Sequence, residues 1–261
     1  MVCCVCYFIV ASISSPIYAS ITYHIDEFSQ DNGTNTFTDT FSDGLEPPSG
    51  PVGTLDYIVH GSFQSDRESG GLLELNIADG SPQEEDIELV AAVGNSNYFF
   101  TPGSAGYIRG MFEINHGYFA CSDFGVGIDN FQTPKSGGSP DESIGAGIVV
   151  GADGSISALW SHHQGISTDY YQDIGSELSG HTKITLQLLL DRDNNVTAMF
   201  DYGSDGSFDL IKSNYATLGH IAGTYTGTFE VLKSPCIPEP ASITLLVLGL
   251  AGLHFGRRHQ H

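Results

Sequence analysis

From Ile184 to Ile211 the chain reads ITLQLLLDRDNNVTAMFDYGSDGSFDLI. Ile184, Leu186, Leu188 and Leu190 fall on every second position, the period of a strand with one face buried. Asp193 to Asn195 interrupt that run with residues that tolerate turn conformations, and Val196, Ala198 and Phe200 resume it. Asp205-Gly206 interrupts it again before a third run begins. The stretch predicts strand, tight turn, strand, tight turn, strand. Ile184, Leu186, Leu188 and Leu190 should point one way, with Val196, Ala198 and Phe200 answering from the partner strand.

The same rhythm extends outward. Short apolar or β-branched runs occur at 21–28, 54–63, 71–77, 86–93, 105–115, 118–128, 144–150, 155–161 and 226–233. Glycine, proline, aspartate and asparagine separate them, as in Gly44 to Gly53, Gly137-Gly138 and Asp153-Gly154. No run carries the 3.6-residue period of an amphipathic helix, and no repeat of fixed length appears. The expected fold class is all-β, an antiparallel β-sandwich over residues 20–233. The 261 residues hold 32 glycines, 15 phenylalanines and 12 tyrosines, a composition suited to strands and turns. Against 31 Asp+Glu stand 9 Lys+Arg, a formal net charge of −22. Binding to nucleic acid relies on lysine and arginine to displace counterions, so no nucleic-acid partner is expected.

Three phrases sharpen the sandwich: GMFEIN (110–115), FGVGI (124–128) and IGAGIVVGADGSISALW (144–160). With the Ile184–Ile211 stretch, they resemble the jelly roll of concanavalin A-like lectins and glucanases, where long paired strands are joined by Asp-Gly turns. An immunoglobulin-like sandwich is the rival arrangement.

The ends read as addresses. Residues 1–19, MVCCVCYFIVASISSPIYA, carry no charge and finish on small residues, which predicts a signal peptide cut between Ala19 and Ser20 by a signal peptidase. No lysine or arginine precedes the apolar run, a departure from the usual pattern. At the other end, 234–240 form a stem ending in Pro238, Glu239 and Pro240; 241–256 are apolar; 257–261 open with Arg257 and Arg258. The prolines enforce an extended segment, the apolar stretch predicts a transmembrane helix, and the arginines mark its cytoplasmic side. Extended tripeptide, apolar helix and basic stop, in that order, resemble the PEP-CTERM sorting signal of Gram-negative bacteria. The resemblance implies processing by a membrane-embedded exosortase, transient anchorage in the inner membrane, and delivery to the cell envelope, the outer surface or an exopolysaccharide and biofilm matrix. A plain C-terminal membrane anchor is the alternative. Cys3, Cys4 and Cys6 would leave with the leader, and Cys121 and Cys236 would remain as a pair able to oxidise.

Candidate chemistry within the domain is sparse. The glucanases of the resembling fold carry their acids on one strand as E-x-D-x-E, and no such string occurs. Glu113 is followed by Asn115 and Gly117 at the matching positions, and the acids from Glu84 to Glu88 read as a solvated loop. His162 and His163 are adjacent, so a strand would turn them to opposite faces, away from any common metal. They read as an exposed polar strand end. Trp160, Tyr170 and Tyr171 are candidate glycan-stacking residues on a loop. Calcium is the one cofactor the pattern admits, through Asp191, Asp193 and Asn195 or through Asp201, Asp205 and Asp209. An EF-type loop would place glycine at position 6 and glutamate at position 12, and neither stretch satisfies both. The function expected from the chain is a secreted, non-enzymatic envelope or matrix protein that binds glycan weakly. A polysaccharide hydrolase of the envelope is the alternative from another class.

Overall fold

The computed structural model of the protein describes residues 21–42, 55–60, 63–68, 70–77, 87–114, 121–130, 142–151, 153–164 and 167–233. The expected signal peptide with Ala19 and Ser20, the Pro238–Glu239–Pro240 tripeptide, the apolar C-terminal stretch, Arg257 and Arg258 lie outside these residues. Among the described residues no helix is long and apolar enough to cross a membrane.

The described residues form fifteen strands in chain order: β1 Ile21–Asp31, β2 Thr36–Asp39, β3 Leu55–His60, β4 Phe63–Glu68, β5 Leu73–Ile77, β6 Ile87–Val93, β7 Gly106–Glu113 and β8 Ser122–Asn130; then β9 Glu142–Val150, β10 Ile156–His163, β11 Ser167–Asp173, β12 Lys183–Leu190, β13 Asn195–Tyr202, β14 Leu210–Thr217 and β15 Thr226–Lys233. They form two antiparallel sheets, so the protein is a β-sandwich. One runs β14-β13-β12-β7-β1-β5-β4, with β2 added on β1; the other runs β11-β10-β9-β8-β15-β6-β3.

The period-two pattern of the Ile184–Ile211 stretch is realised directly. Leu186 lies opposite Phe200, Leu188 opposite Ala198, and Leu190 opposite Val196. All six are buried in the space between the sheets. Asn194 takes a left-handed φ of 65° to close the intervening turn, a conformation asparagine tolerates better than most side chains. From the second sheet, Phe124, Val126 and Ile128 of β8 and Ile144, Ala146 and Ile148 of β9 fill the facing layer. Aromatic rings cross the interface in edge contacts, Phe28 with Phe229 at 5.2 Å and Tyr23 with Phe124 at 6.4 Å between centroids. In β1 a bulge between Ile25 and Glu27 shifts the inward face from Tyr23 and Ile25 to Phe28 and Gln30, and Glu27 meets Arg109.

At the outer face of β8 and β9, Gly125 pairs with Gly147. A Cβ on Gly147 would come within 2.8 Å of the Phe124 carbonyl oxygen, so the two strands approach more closely than side chains would permit.

Leu188 and Leu189 test the alternation on neighbouring residues, since Leu188 is fully buried and Leu189 is 42% exposed. Leu188→Ala should cost about 2–5 kcal/mol in urea denaturation, and Leu189→Ala should stay within about 0.5 kcal/mol. Equal losses would mean the register is wrong.

Candidate functional site

The inner face of β10 carries Ile156, Ala158, Trp160 and His162, each set by alternation opposite Val150, Ile148, Ala146 and Ile144 of β9. Ala158 is fully buried, whereas Trp160 and His162 lie toward the open end of the strand and are partly covered. On its other side β10 pairs with β11, an edge strand, which places Tyr170 opposite Trp160 and Gln172 opposite Ala158. The Trp160 and Tyr170 rings are nearly parallel, 10° apart in plane, with centroids offset by 6.1 Å. Tyr170 is 45% exposed. The result is an aromatic platform at one edge of the sandwich.

The opposite sheet supplies the other wall. Lys212 on β14, also an edge strand, sits opposite the buried Ala198 and therefore points between the sheets. Its Nζ lies 4.4 Å from the Trp160 ring centroid and donates a 2.7 Å hydrogen bond to Gln172 Oε1. Farther in, the Tyr215 hydroxyl donates to the Gly145 carbonyl at 2.7 Å, and burial raises its pKa well above the ordinary value. Aromatic faces, an ammonium and an amide thus converge along one seam.

Beyond Trp160 the same face turns polar. Glu142, at the start of β9, is fully buried. Its Oε2 accepts hydrogen bonds from the Tyr225 hydroxyl at 2.5 Å and from the Ile221 amide at 3.0 Å. Its Oε1 lies 3.4 Å from His162 Nε2. His220, on the loop between β14 and β15, brings its ring to 5.5 Å from that of His162. One ligand-capable atom each from Glu142, His162 and His220 lie within 4.8 Å of one another. Burial lowers the His162 pKa below its ordinary value, opposed by Glu142. Burial, reinforced by the Glu142 carboxylate, raises the Tyr225 hydroxyl far above the usual phenol range.

The sequence-derived candidates are therefore divided. Trp160 and Tyr170 come together, on strands rather than on a loop. Tyr171 pairs with Leu159 on the outer face, 59% exposed, and does not join them. His162 and His163 do point to opposite faces, His163 meeting Asp169 at 2.8 Å. The expected exposed strand end is overturned for His162, whose side chain is only 12% exposed. The reason is that its face is the one shared with the core residue Ile144.

The acidic turns are self-satisfied in part. Asp191 Oδ1 accepts from the backbone amides of Asp193 and Asn195, and hydrogen bonds from the Asn195 side chain and backbone lower its pKa. The Asp201 carboxylate accepts from the amides of Asp205 and Gly206, and Asp209 Oδ2 from that of Tyr202. Among the described residues, the acids of these turns do not come together as three ligand-capable side chains within 4.8 Å. Glu113 lies on the outer face of its sheet beside His24 and Lys183. Cys121 is disulfide-bonded, and every other cysteine, Cys236 included, lies outside the described residues. Sequence reading missed Lys212, Glu142 and His220. Residues 142, 162 and 220 meet through strand pairing and a loop return, and no local spacing marks them.

Compared with known proteins, the chain matches no family model and no curated protein.

Removing one donor tests the polar cluster. Tyr225→Phe leaves Glu142 Oε2 with the Ile221 amide alone, and should cost about 1.5–3 kcal/mol, the range for hydrogen bonds to charged groups. Tyr171→Phe, on the exposed outer face, should leave the urea midpoint unchanged.

Proposed function

We propose that this chain is an exported, non-enzymatic protein of the bacterial cell envelope or extracellular matrix that holds a neutral polysaccharide at the open edge of its sandwich. The observation that carries the reading is the Trp160–Tyr170 platform with Lys212 and Gln172 along its border. A pyranose ring presents an apolar face of C–H groups, which stacks on aromatic rings, and hydroxyls, which hydrogen-bond at the periphery. Two aromatics and two polar side chains make a shallow site, in keeping with weak binding. The net charge of −22 favours a neutral polymer over an anionic one.

The finer topology belongs to the same proposal. The chain passes from β5 to β6, β7 and β8 by alternating sheets, and β1 and β15 lie inside opposite sheets. Both features support a jelly roll of the concanavalin A-like kind. The P-E-P tripeptide, apolar segment and Arg257-Arg258 support export through a PEP-CTERM-type signal, with a signal peptidase at one end and an exosortase at the other.

Two measurements address the two halves. In native affinity gels cast with neutral glucan or mannan, the protein should be retarded by at least one polymer. Trp160→Ala with Tyr170→Ala should abolish the retardation, and Tyr171→Ala should keep it. Retardation unchanged by the double substitution, or none with any neutral polymer, overturns the binding site. For sorting, replacing Pro238–Glu239–Pro240 with alanines should increase the mature mass in the native host by the retained C-terminal segment. An unchanged C-terminus rejects sortase processing.

A further inference from the structure

A buried carboxylate needs a compensating charge or several donors, because leaving water costs an isolated ion several kcal/mol or more, about 20 in the idealised limit. Among the described residues Glu142 Oε2 accepts from two donors, and Oε1 meets only the long 3.4 Å contact from Nε2 of its ion-pair partner His162. Oε1 thus faces His162, in a cluster where one ligand-capable atom each of Glu142, His162 and His220 lie within 4.8 Å of one another.

That division of labour is how metal sites are commonly built: one carboxylate oxygen is fixed by outer hydrogen bonds while the other faces the ion. The two supports are tied to each other. Tyr225 is itself held by paired backbone bonds to Phe100, and its hydroxyl also reaches the Ile221 carbonyl at 2.7 Å. Ile221 follows His220 directly, so the amide that anchors Glu142 also positions the second imidazole. The loop is pinned at its near end as well, where the Leu218 amide donates to the Asn194 carbonyl at 2.8 Å. His162 is fixed by β10, in register with Ile144, two residues from Glu142 on the same face.

We propose that Glu142, His162 and His220 form a binding site for a divalent transition ion of the Zn²⁺ class. One carboxylate and two imidazoles suit that ion better than calcium, which takes six to eight oxygens. Ligands about 2.0–2.2 Å from a tetrahedral centre stand roughly 3.3–3.6 Å apart. The 3.4 Å between His162 Nε2 and Glu142 Oε1 already has that separation. The exposed His220 closes the set with a small movement of a loop bounded by Gly219 and Gly223. Its exposure leaves one side of the ion open to water. The ion would tie the β14–β15 loop to β9 and β10, at the polar end of the face that carries Trp160.

The test uses the full-length chain without an affinity tag, stripped with chelator and titrated with Zn²⁺ against a chromogenic competitor. The wild type should take up one tight equivalent and gain thermal stability by mass action. His220→Ala, at an exposed position that should not disturb folding, should weaken uptake at least about tenfold and abolish the stabilisation. His163→Ala should behave as the wild type. Co²⁺ should give a visible spectrum of low-coordinate type that His220→Ala loses. Absence of a tight equivalent, or equal uptake by His220→Ala, overturns the site. Because the glycan test removes Trp160 and Tyr170 only, either proposal can fail while the other stands.

Discussion

Where β1 crosses β15, one buried amide joins the two sheets. Gln30 donates through Nε2 to the Tyr98 carbonyl at 2.6 Å and accepts through Oε1 from the Gly227 amide at 3.0 Å. Both strands are interior members of their sheets, so ladder bonds to neighbours on either side are spread from this crossing to each edge. A side chain at 227 would collide with Gln30, because a Cβ there would lie 2.3 Å from Oε1. Two residues away, Phe28 meets Phe229 in the apolar layer. A polar clamp of this kind costs dehydration and returns it only when every group is paired, so it specifies relative placement more than it adds stability.

The clamp also marks where the core changes character. On one side lie the alternating leucines, isoleucines and phenylalanines. On the other, Leu190 and Val196 remain apolar but Gln30, Asn130, Glu142 and His162 enter inward positions, with Asn130 opposite Glu142 across β8 and β9. Strict alternation would have continued the apolar layer to the sheet ends. Its replacement by hydrogen-bonding groups puts chemistry on the same faces that hold the fold together. Trp160 and His162 are adjacent on one such face only because a strand repeats every two residues. Function and packing are therefore read from the same register, and a one-residue slip of β10 would lose both.

The central strands and the apolar edge β3 were legible in the sequence, and the polar edges were not. β12 and β13 carry the expected alternation, Ile184, Leu186, Leu188 and Leu190 facing Val196, Ala198 and Phe200, because both bury a full apolar face. The strands missed were β2, β4, β11 and much of β14. β4, β11 and β14 are sheet edges, and β2 is appended to β1. FQSDRE, STDYYQD and LIKSNYAT are polar runs without clear alternation, the composition by which edge strands discourage further pairing. The candidate site sits on those strands: Tyr170 and Gln172 come from β11, Lys212 from β14. Trp160 and Tyr170 could be suspected as aromatics, but Lys212 could not be placed without the pairing of β14 to β13. His220 was hidden for a different reason, since its partners are 58 and 78 positions away in the chain.

The few bases give the acidity its meaning. Arg109 is bound to Glu27, Lys183 to Asp26, and Lys212 to Trp160 and Gln172. Each of these cations is engaged in holding a strand or a seam. A surface with few bases and a strongly negative charge repels copies of itself and other polyanions over roughly the Debye length, about 8 Å at physiological ionic strength. Beyond that distance the repulsion fades, and short-range stacking decides what is held. For the proposed glycan site this ordering matters: uronic or sulfated polymers meet the field before they reach the platform, whereas a neutral chain meets only the rings. The single ammonium at the platform is then a hydrogen-bond donor to sugar hydroxyls rather than an anchor for acidic groups, because Gln172 and the Trp160 ring already hold it in place.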